Sequence, residues 1–126
     1  MQIRIYYEDT DAGGIVYHTN YIKYCERARS ELFFSRGIAP MDGERSGFVV
    51  RHIDANFLGM AKLGDMLNLE MRLVRKKAAS VILKQSIVNN NKKIFEMDIT
   101  LVFVREGKPQ IIPDMFADIL VDIKSD

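Results

Sequence analysis

Along these 126 residues one long stretch of helical period gives way to a succession of runs with period two, and that shift excludes most architectures. Tyr21, Cys25, Ala28 and Leu32 recur at i, i+4, i+7 and i+11, one face of a helix predicted over residues 19–35. Thr19 or Asn20 is placed to cap its start, and Gly37 to end it in the left-handed conformation. From residue 47 the period becomes two. Residues 47–58 read as a strand with Asp54 and Asn56 interspersed, and Leu67, Leu69, Met71 and Leu73 alternate with Asn68, Glu70 and Arg72. Val81, Leu83 and Ile87 share one parity with Gln85 between them, and Phe95, Met97, Ile99, Leu101 and Phe103 alternate with polar neighbours. Asn89-Asn90-Asn91 marks a hairpin between these last two runs. Residues 2–8, rich in Ile and Tyr, read as a first strand, and Pro113–Leu120 as a short closing helix. One long helix and an antiparallel sheet of about five strands give an α+β domain, with the helix laid across the apolar face. One helix does not cover a wide sheet, so an oligomer is expected.

Size and charge narrow the function. A chain of 126 residues supports one sizeable core, so residues 1–126 are read as a single domain. The net charge of +1 gives no bulk field for nucleic acid or an anionic membrane. Cys25 is the only cysteine, which rules out an intrachain disulfide and fits a reducing, cytoplasmic compartment. No apolar run reaches the roughly 20 residues that span a bilayer, so no integral membrane segment is expected. Met1–Ile5 lacks the apolar core of a signal peptide.

The densest polar cluster is Tyr7-Glu8-Asp9-Thr10-Asp11, followed by Gly13-Gly14 and then Tyr17-His18 at the predicted helix start. A helix N-terminus offers unpaired amides and the positive end of a dipole. A carboxylate beside it meets the needs of attack on a carbonyl carbon: a base or nucleophile on one side, fixed donors on the other. Acidic residues next to glycine also form ordinary turns, and spacing alone leaves both readings open. A calcium loop fits poorly, because its twelfth position would be Asn20 and a strand precedes it. An aspartyl-phosphate phosphatase needs a larger parallel domain. His18 and His52 are the only histidines and lie far apart, so no metal site is expected. Cys25, on the apolar face, reads as a small buried hydrophobe.

A second anomaly is electrostatic. Residues 72–93 hold Arg72, Arg75, Lys76, Lys77, Lys84, Lys92 and Lys93 with no acid, while residues 114–126 hold four aspartates against Lys124. The basic run is either a solvated edge that discourages strand pairing or a phosphate-binding patch centred on Arg75-Lys76-Lys77. Aromatics do not interleave with it, which disfavours nucleic acid.

The run Tyr6-Tyr7-Glu8-Asp9-Thr10-Asp11-Ala12-Gly13-Gly14-Ile15-Val16-Tyr17-His18-Thr19-Asn20-Tyr21, with Cys25-Glu26-Arg27-Ala28-Arg29-Ser30-Glu31, strongly resembles the hotdog-fold acyl-CoA thioesterases. Within them it is similar to the YbgC type, the Tol–Pal-associated branch related to 4-hydroxybenzoyl-CoA thioesterase. The resemblance implies an antiparallel sheet wrapped around a central helix, a homodimer assembling to a homotetramer, and active sites between subunits. It implies hydrolysis of an acyl-CoA without a cofactor, with Asp11 as nucleophile or general base and the amide at His18 or its neighbour polarising the carbonyl. The His18 side chain and Tyr7 match positions near the site. Arg75, Lys76 and Lys77 fall where relatives hold coenzyme A phosphates. Met60 departs from the pattern, standing where relatives carry proline. Two other classes remain: an acyl-thioester hydratase, and a non-catalytic module that binds an acyl carrier protein or another partner through the basic patch.

Overall fold

The computed structural model describes residues 1–43 and 45–124. In chain order the elements are β1 (Gln2–Arg4), α1 (Thr19–Phe34), β2 (Ser46–Phe57), β3 (Met66–Lys76), β4 (Ser80–Asn89), β5 (Lys92–Arg105), β6 (Lys108–Pro109) and α2 (Asp114–Val121). The sheet is antiparallel throughout, in the order β1-β3-β4-β5-β2, with the two-residue β6 added to the end of β5. The α+β reading, with about five strands and one long helix, is what the chain adopts. Of the aspartate-rich tail, Asp126 lies outside the described residues.

Strand pairing follows the alternation in the sequence. Leu67 and Leu69 on β3, Val81, Leu83 and Ile87 on β4, and Phe95, Met97, Ile99, Leu101 and Phe103 on β5 are all buried. Two-residue turns set the register. Asn90 (φ 53°) and Asn91 (φ 66°) occupy the left-handed region, which matches the twist of paired strands and joins β4 to β5. Glu106 and Gly107, also at positive φ, join β5 to β6.

Helix α1 buries Tyr21, Tyr24, Cys25 and Phe33, and α2 adds Phe116, Ile119 and Leu120 to the same core. The helix ends where glycine predicts. Ile38 N–H donates to Phe33 O and Gly37 N–H to Phe34 O, with Gly37 at φ 78°, the paired bonds of a Schellman motif. The aromatic side chains then interlock. Phe33, Phe48, Phe103 and Phe116 form one group with centroids 5.4–6.0 Å apart. Tyr21, Phe57 and Phe95 form a second beneath the helix start.

Two expectations need correction. The first strand does not run over residues 2–8. It stops at Arg4, and Tyr7–Asp9 turn as a single 3-10 helix. The Asp9 carboxylate causes this, because its Oδ2 accepts the Tyr6 amide at 2.8 Å and folds the chain back. Neither Thr19 nor Asn20 caps α1 through its side chain. His18 occupies the cap position without a side-chain bond, and the Asn20 amide is used elsewhere.

The two sheet edges differ. β1 is three residues long, whereas β2 presents a 12-residue outer edge with Val49, Val50 and Phe57 half exposed. Among the described residues no helix is long and apolar enough to cross a membrane.

Candidate active site

The loop between β1 and α1 is built around one peptide oxygen. After the turn at Tyr7–Asp9, which the Thr10 hydroxyl also braces by donating to Tyr7 O at 2.9 Å, the chain makes a tight reversal. Asp11 holds that reversal. Its Oδ1 accepts the Gly13 amide at 2.8 Å, its carbonyl accepts the Gly14 amide at 3.0 Å, and its own amide donates to Ile15 O at 2.9 Å. Gly14 sits at φ 80°, which a side chain would strain. The returning arm pairs with residues 61 and 62, through Val16 N–H to Ala61 O at 2.8 Å and a bridge between Ile15 and Lys62. The carbonyl of Asp9 then accepts both the Tyr17 amide (3.2 Å) and the Asn20 side-chain amide (3.0 Å), fastening the loop to the first turn of α1.

This leaves a defined set of free groups. One oxygen of the Asp11 carboxylate is fixed by Gly13, and among the described residues Oδ2 has no donor. At the helix start, the Tyr17 amide is taken by Asp9 and the Asn20 amide by Tyr17 O at 2.9 Å. Among the described residues no acceptor faces the His18 or Thr19 amide. The arrangement is therefore an exposed carboxylate of fixed orientation on a loop tied to a helix N-terminus with two unused donors.

The side chains around it divide by burial. The His18 ring lies 4.6 Å from Tyr17 and 5.9 Å from Phe57, exposed to solvent. Tyr7 projects outward at 83% exposure, on the loop but outside the hydrogen-bonded frame. Beneath them Tyr21 stacks on Phe95 at 5.6 Å, and its hydroxyl accepts the buried Ala61 amide at 3.1 Å. Burial raises the Tyr21 phenol's pKa above its usual value. Tyr24 is raised further, first by burial and then by the neighbouring Asp9 carboxylate. Burial pushes the Cys25 thiol up to about 12, so at neutral pH it is a packed, unreactive group. Met60 is accommodated without disturbance, exposed at the surface while Ala61 next to it carries the pairing.

The structure joins Asp11 and His18 through the loop and the helix start, with Tyr7 on the same loop. It does not bring Arg75, Lys76 and Lys77 to them within one chain. These lie at the far end of β3 from the loop at residues 61–65, roughly 30 Å away by the rise of a strand. The wider basic run is also partly neutralised. Lys84 on β4 pairs with Glu96 and Asp98 across the hairpin on β5, and Lys93 pairs with Glu96 along β5 itself.

Residues 13–95 match the model of the thioesterase superfamily. The chain belongs to that superfamily. It falls in the YbgC branch: the Helicobacter pylori acyl-CoA thioesterase YbgC is 40% identical over 131 aligned positions, covering 95% of this chain and 98% of the relative. The Escherichia coli acyl-CoA thioester hydrolase YbgC is 36% identical over 116 positions, covering 88% and 87%. A crystal structure of a probable thioesterase from Bartonella henselae superposes with a TM-score of 0.82 at 32% identity, covering 90% of this chain and 97% of that one. The antiparallel sheet with its long helix is the hotdog architecture of that superfamily.

Proposed function

We propose that this chain hydrolyses an acyl-CoA thioester to the free carboxylic acid and coenzyme A. The observation that carries the reading is the Asp11 carboxylate, fixed by Gly13 on a loop that Asp9 ties to a helix start whose His18 and Thr19 amides have no acceptor among the described residues. The thioester carbonyl lies over the helix start, and its oxygen accepts one or both amides as negative charge develops. One such donor is typically worth about 3 kcal/mol in the transition state. Asp11 acts in one of two ways. As a nucleophile its carboxylate oxygen bonds to the carbonyl carbon, the carbon–sulfur bond breaks with the electron pair leaving on sulfur, and water then hydrolyses the mixed anhydride. As a general base it takes a proton from water while the oxygen of that water bonds to the carbon; the tetrahedral intermediate then collapses, the carbon–sulfur bond breaks with its electron pair on sulfur, and the proton held by Asp11 passes to the leaving thiolate or to solvent. His18 and Tyr7 line the approach. No cofactor enters either route.

A second copy completes the site in this reading. The unpaired 12-residue edge of β2 invites antiparallel pairing with another β2, which extends the sheet across two subunits. Such dimers pair further as a homotetramer, so Arg75, Lys76 and Lys77 of one copy come within reach of coenzyme A phosphates bound at another. The cytoplasm is the compartment assigned, supported by the reduced, buried Cys25. The association with the Tol–Pal system rests on the resemblance to the YbgC branch. An acyl carrier protein thioester is the alternative form of the same substrate.

Thiol release from short, long and aromatic acyl-CoAs tests this directly. Turnover of at least one ester is expected. A folded oligomer that releases thiol from no coenzyme A ester and no carrier-protein ester contradicts the reading. Hydration of an enoyl thioester without hydrolysis would make it a hydratase.

A further inference from the structure

A cavity of about 240 Å³ lies between the second half of α1, the sheet and α2. Phe33, Phe48, Leu83, Leu101 and Leu120 make its walls apolar, Arg29 places a cation on it, and Glu26 lies at its exposed rim. Arg29 is braced from behind. One guanidinium N–H donates to Gln85 Oε1 at 2.9 Å, and Gln85, 1% exposed, is held in turn by donating from Nε2 to Cys25 O at 2.9 Å. A guanidinium has five N–H donors, and here one protein acceptor meets them among the described residues. Arg36 and Arg105 each pair with an aspartate, but no carboxylate forms an ion pair with Arg29 among the described residues. Glu26, one turn back on the helix and exposed, influences Arg29 only at a distance. Burial accordingly lowers the guanidinium's pKa from its ordinary value. A half-buried cation with no carboxylate in hydrogen-bonded contact is costly, and an incoming anion relieves the cost.

In the dimer proposed above, the cavity lies where an acyl chain would end. Val50, half exposed, stands at its rim on β2, and the His18 ring lies 5.9 Å from Phe57 at the other end of that strand. Antiparallel pairing of two β2 edges sets the Ser46 end of one copy beside the Phe57 end of the other. The helix start of one copy then faces the Arg29 cavity of its neighbour. The volume falls just below the roughly 300–1,000 Å³ of drug-sized sites, which suits a short acyl group.

We propose that the Arg29 cavity receives the far end of the acyl group and selects chains that terminate in a carboxylate, the monothioesters of short dicarboxylic acids. The proposal rests on the thioesterase reading and names its substrate class. Two six-carbon substrates test it, hexanoyl-CoA ending in methyl and adipoyl-CoA ending in carboxylate. The wild type is expected to favour adipoyl-CoA by about tenfold or more in kcat/KM, as a charge-assisted hydrogen bond provides. Arg29→Met is expected to reduce that ratio by about the same factor, and Arg29→Lys to restore part of it. Free adipate should shift the Arg29 Nε–H resonance saturably, and hexanoate should not. A wild-type preference for hexanoyl-CoA, or a ratio unchanged in Arg29→Met, overturns the proposal. So does dissociation of the oligomer by Arg29→Met, which would make Arg29 a tie between copies. If adipate binds at Arg29 but no thioester is cleaved, the carboxylate site stands and the thioesterase reading falls. If hexanoyl-CoA is cleaved and adipate does not bind, the reverse holds.

Discussion

Replacing Asn20 with alanine separates the stability of the loop from its function. The Asn20 side chain donates a part-buried bond to Asp9 O at 3.0 Å. Its loss costs about 1 kcal/mol, the net value of a typical hydrogen bond. Asp9 O is not stranded, because the Tyr17 amide still donates to it at 3.2 Å. Alanine also returns about 0.5 kcal/mol of helix propensity in the first turn of α1. The net loss is therefore about 0.5 kcal/mol, or roughly 2 °C in Tm at this chain length. Activity should fall much further. The same bond fastens the Asp11 loop to the helix start, and a misplacement of about 1 Å costs on the order of 10²-fold in a positioned reaction. Thermal unfolding and thiol-release kinetics on one preparation should show a small Tm change and a kcat loss of about 10–100-fold, with KM little altered. Turnover within about twofold of wild type would refute the idea that this bond sets the geometry of the site.

Three further outcomes follow from the same structure. Tyr21→Phe leaves the buried Ala61 amide without its acceptor and should cost about 1–3 kcal/mol in denaturant unfolding, where an unchanged midpoint would contradict the bond at 3.1 Å. Gly14→Val must force a β-branched residue to φ 80°, at about 1–2 kcal/mol, and should reduce turnover beyond what unfolding explains. The Cys25 thiol is held up to about 12 in the folded protein against 9.0 when exposed, so the unfolded chain loses this proton first as pH rises. Its contribution is complete below pH 9 and is lost progressively toward pH 12. Cys25→Ala should flatten that part of the stability curve relative to wild type, and parallel curves would argue against a buried thiol.

The parts of the fold that were legible in the sequence depend on a repeated signal. Leu67 through Leu73 and Phe95 through Phe103 state their register many times over, and slipping either by one residue would expose a whole face. Gly37 and the Asn90-Asn91 turn are legible because positive φ selects few residues. The end of β1 was not legible, because Ile and Tyr at residues 3–7 satisfy strand propensity, and a single carboxylate at Asp9 overrides it from outside the run. The basic stretch at residues 72–93 is less basic in the folded chain than in the sequence, for a related reason. Its acids, Glu96 and Asp98, lie beyond it in sequence and beside it across the hairpin. In the site, Asp11, His18 and the glycines stood out because turn chemistry and helix termini leave local marks. Asn20 gave no such mark, since its partner lies 11 residues earlier. Gln85 did leave one: it holds an inward position among Val81, Leu83 and Ile87, and a polar residue there requires buried partners, which proved to be Arg29 and Cys25.

Asp11, on the loop tied to the start of α1, is the group proposed to perform the hydrolysis. Turnover of the best acyl-CoA by wild type and by Asp11→Asn, with folding and oligomeric state checked on both, tests it most directly. The amide of asparagine keeps the size of the side chain and an oxygen for the Gly13 amide, so the loop should survive. A folded variant is expected, with kcat reduced by about 10²–10⁴-fold, the usual contribution of a general base. Retention of more than about a tenth of the wild-type rate, set against that range, would remove Asp11 from the chemistry.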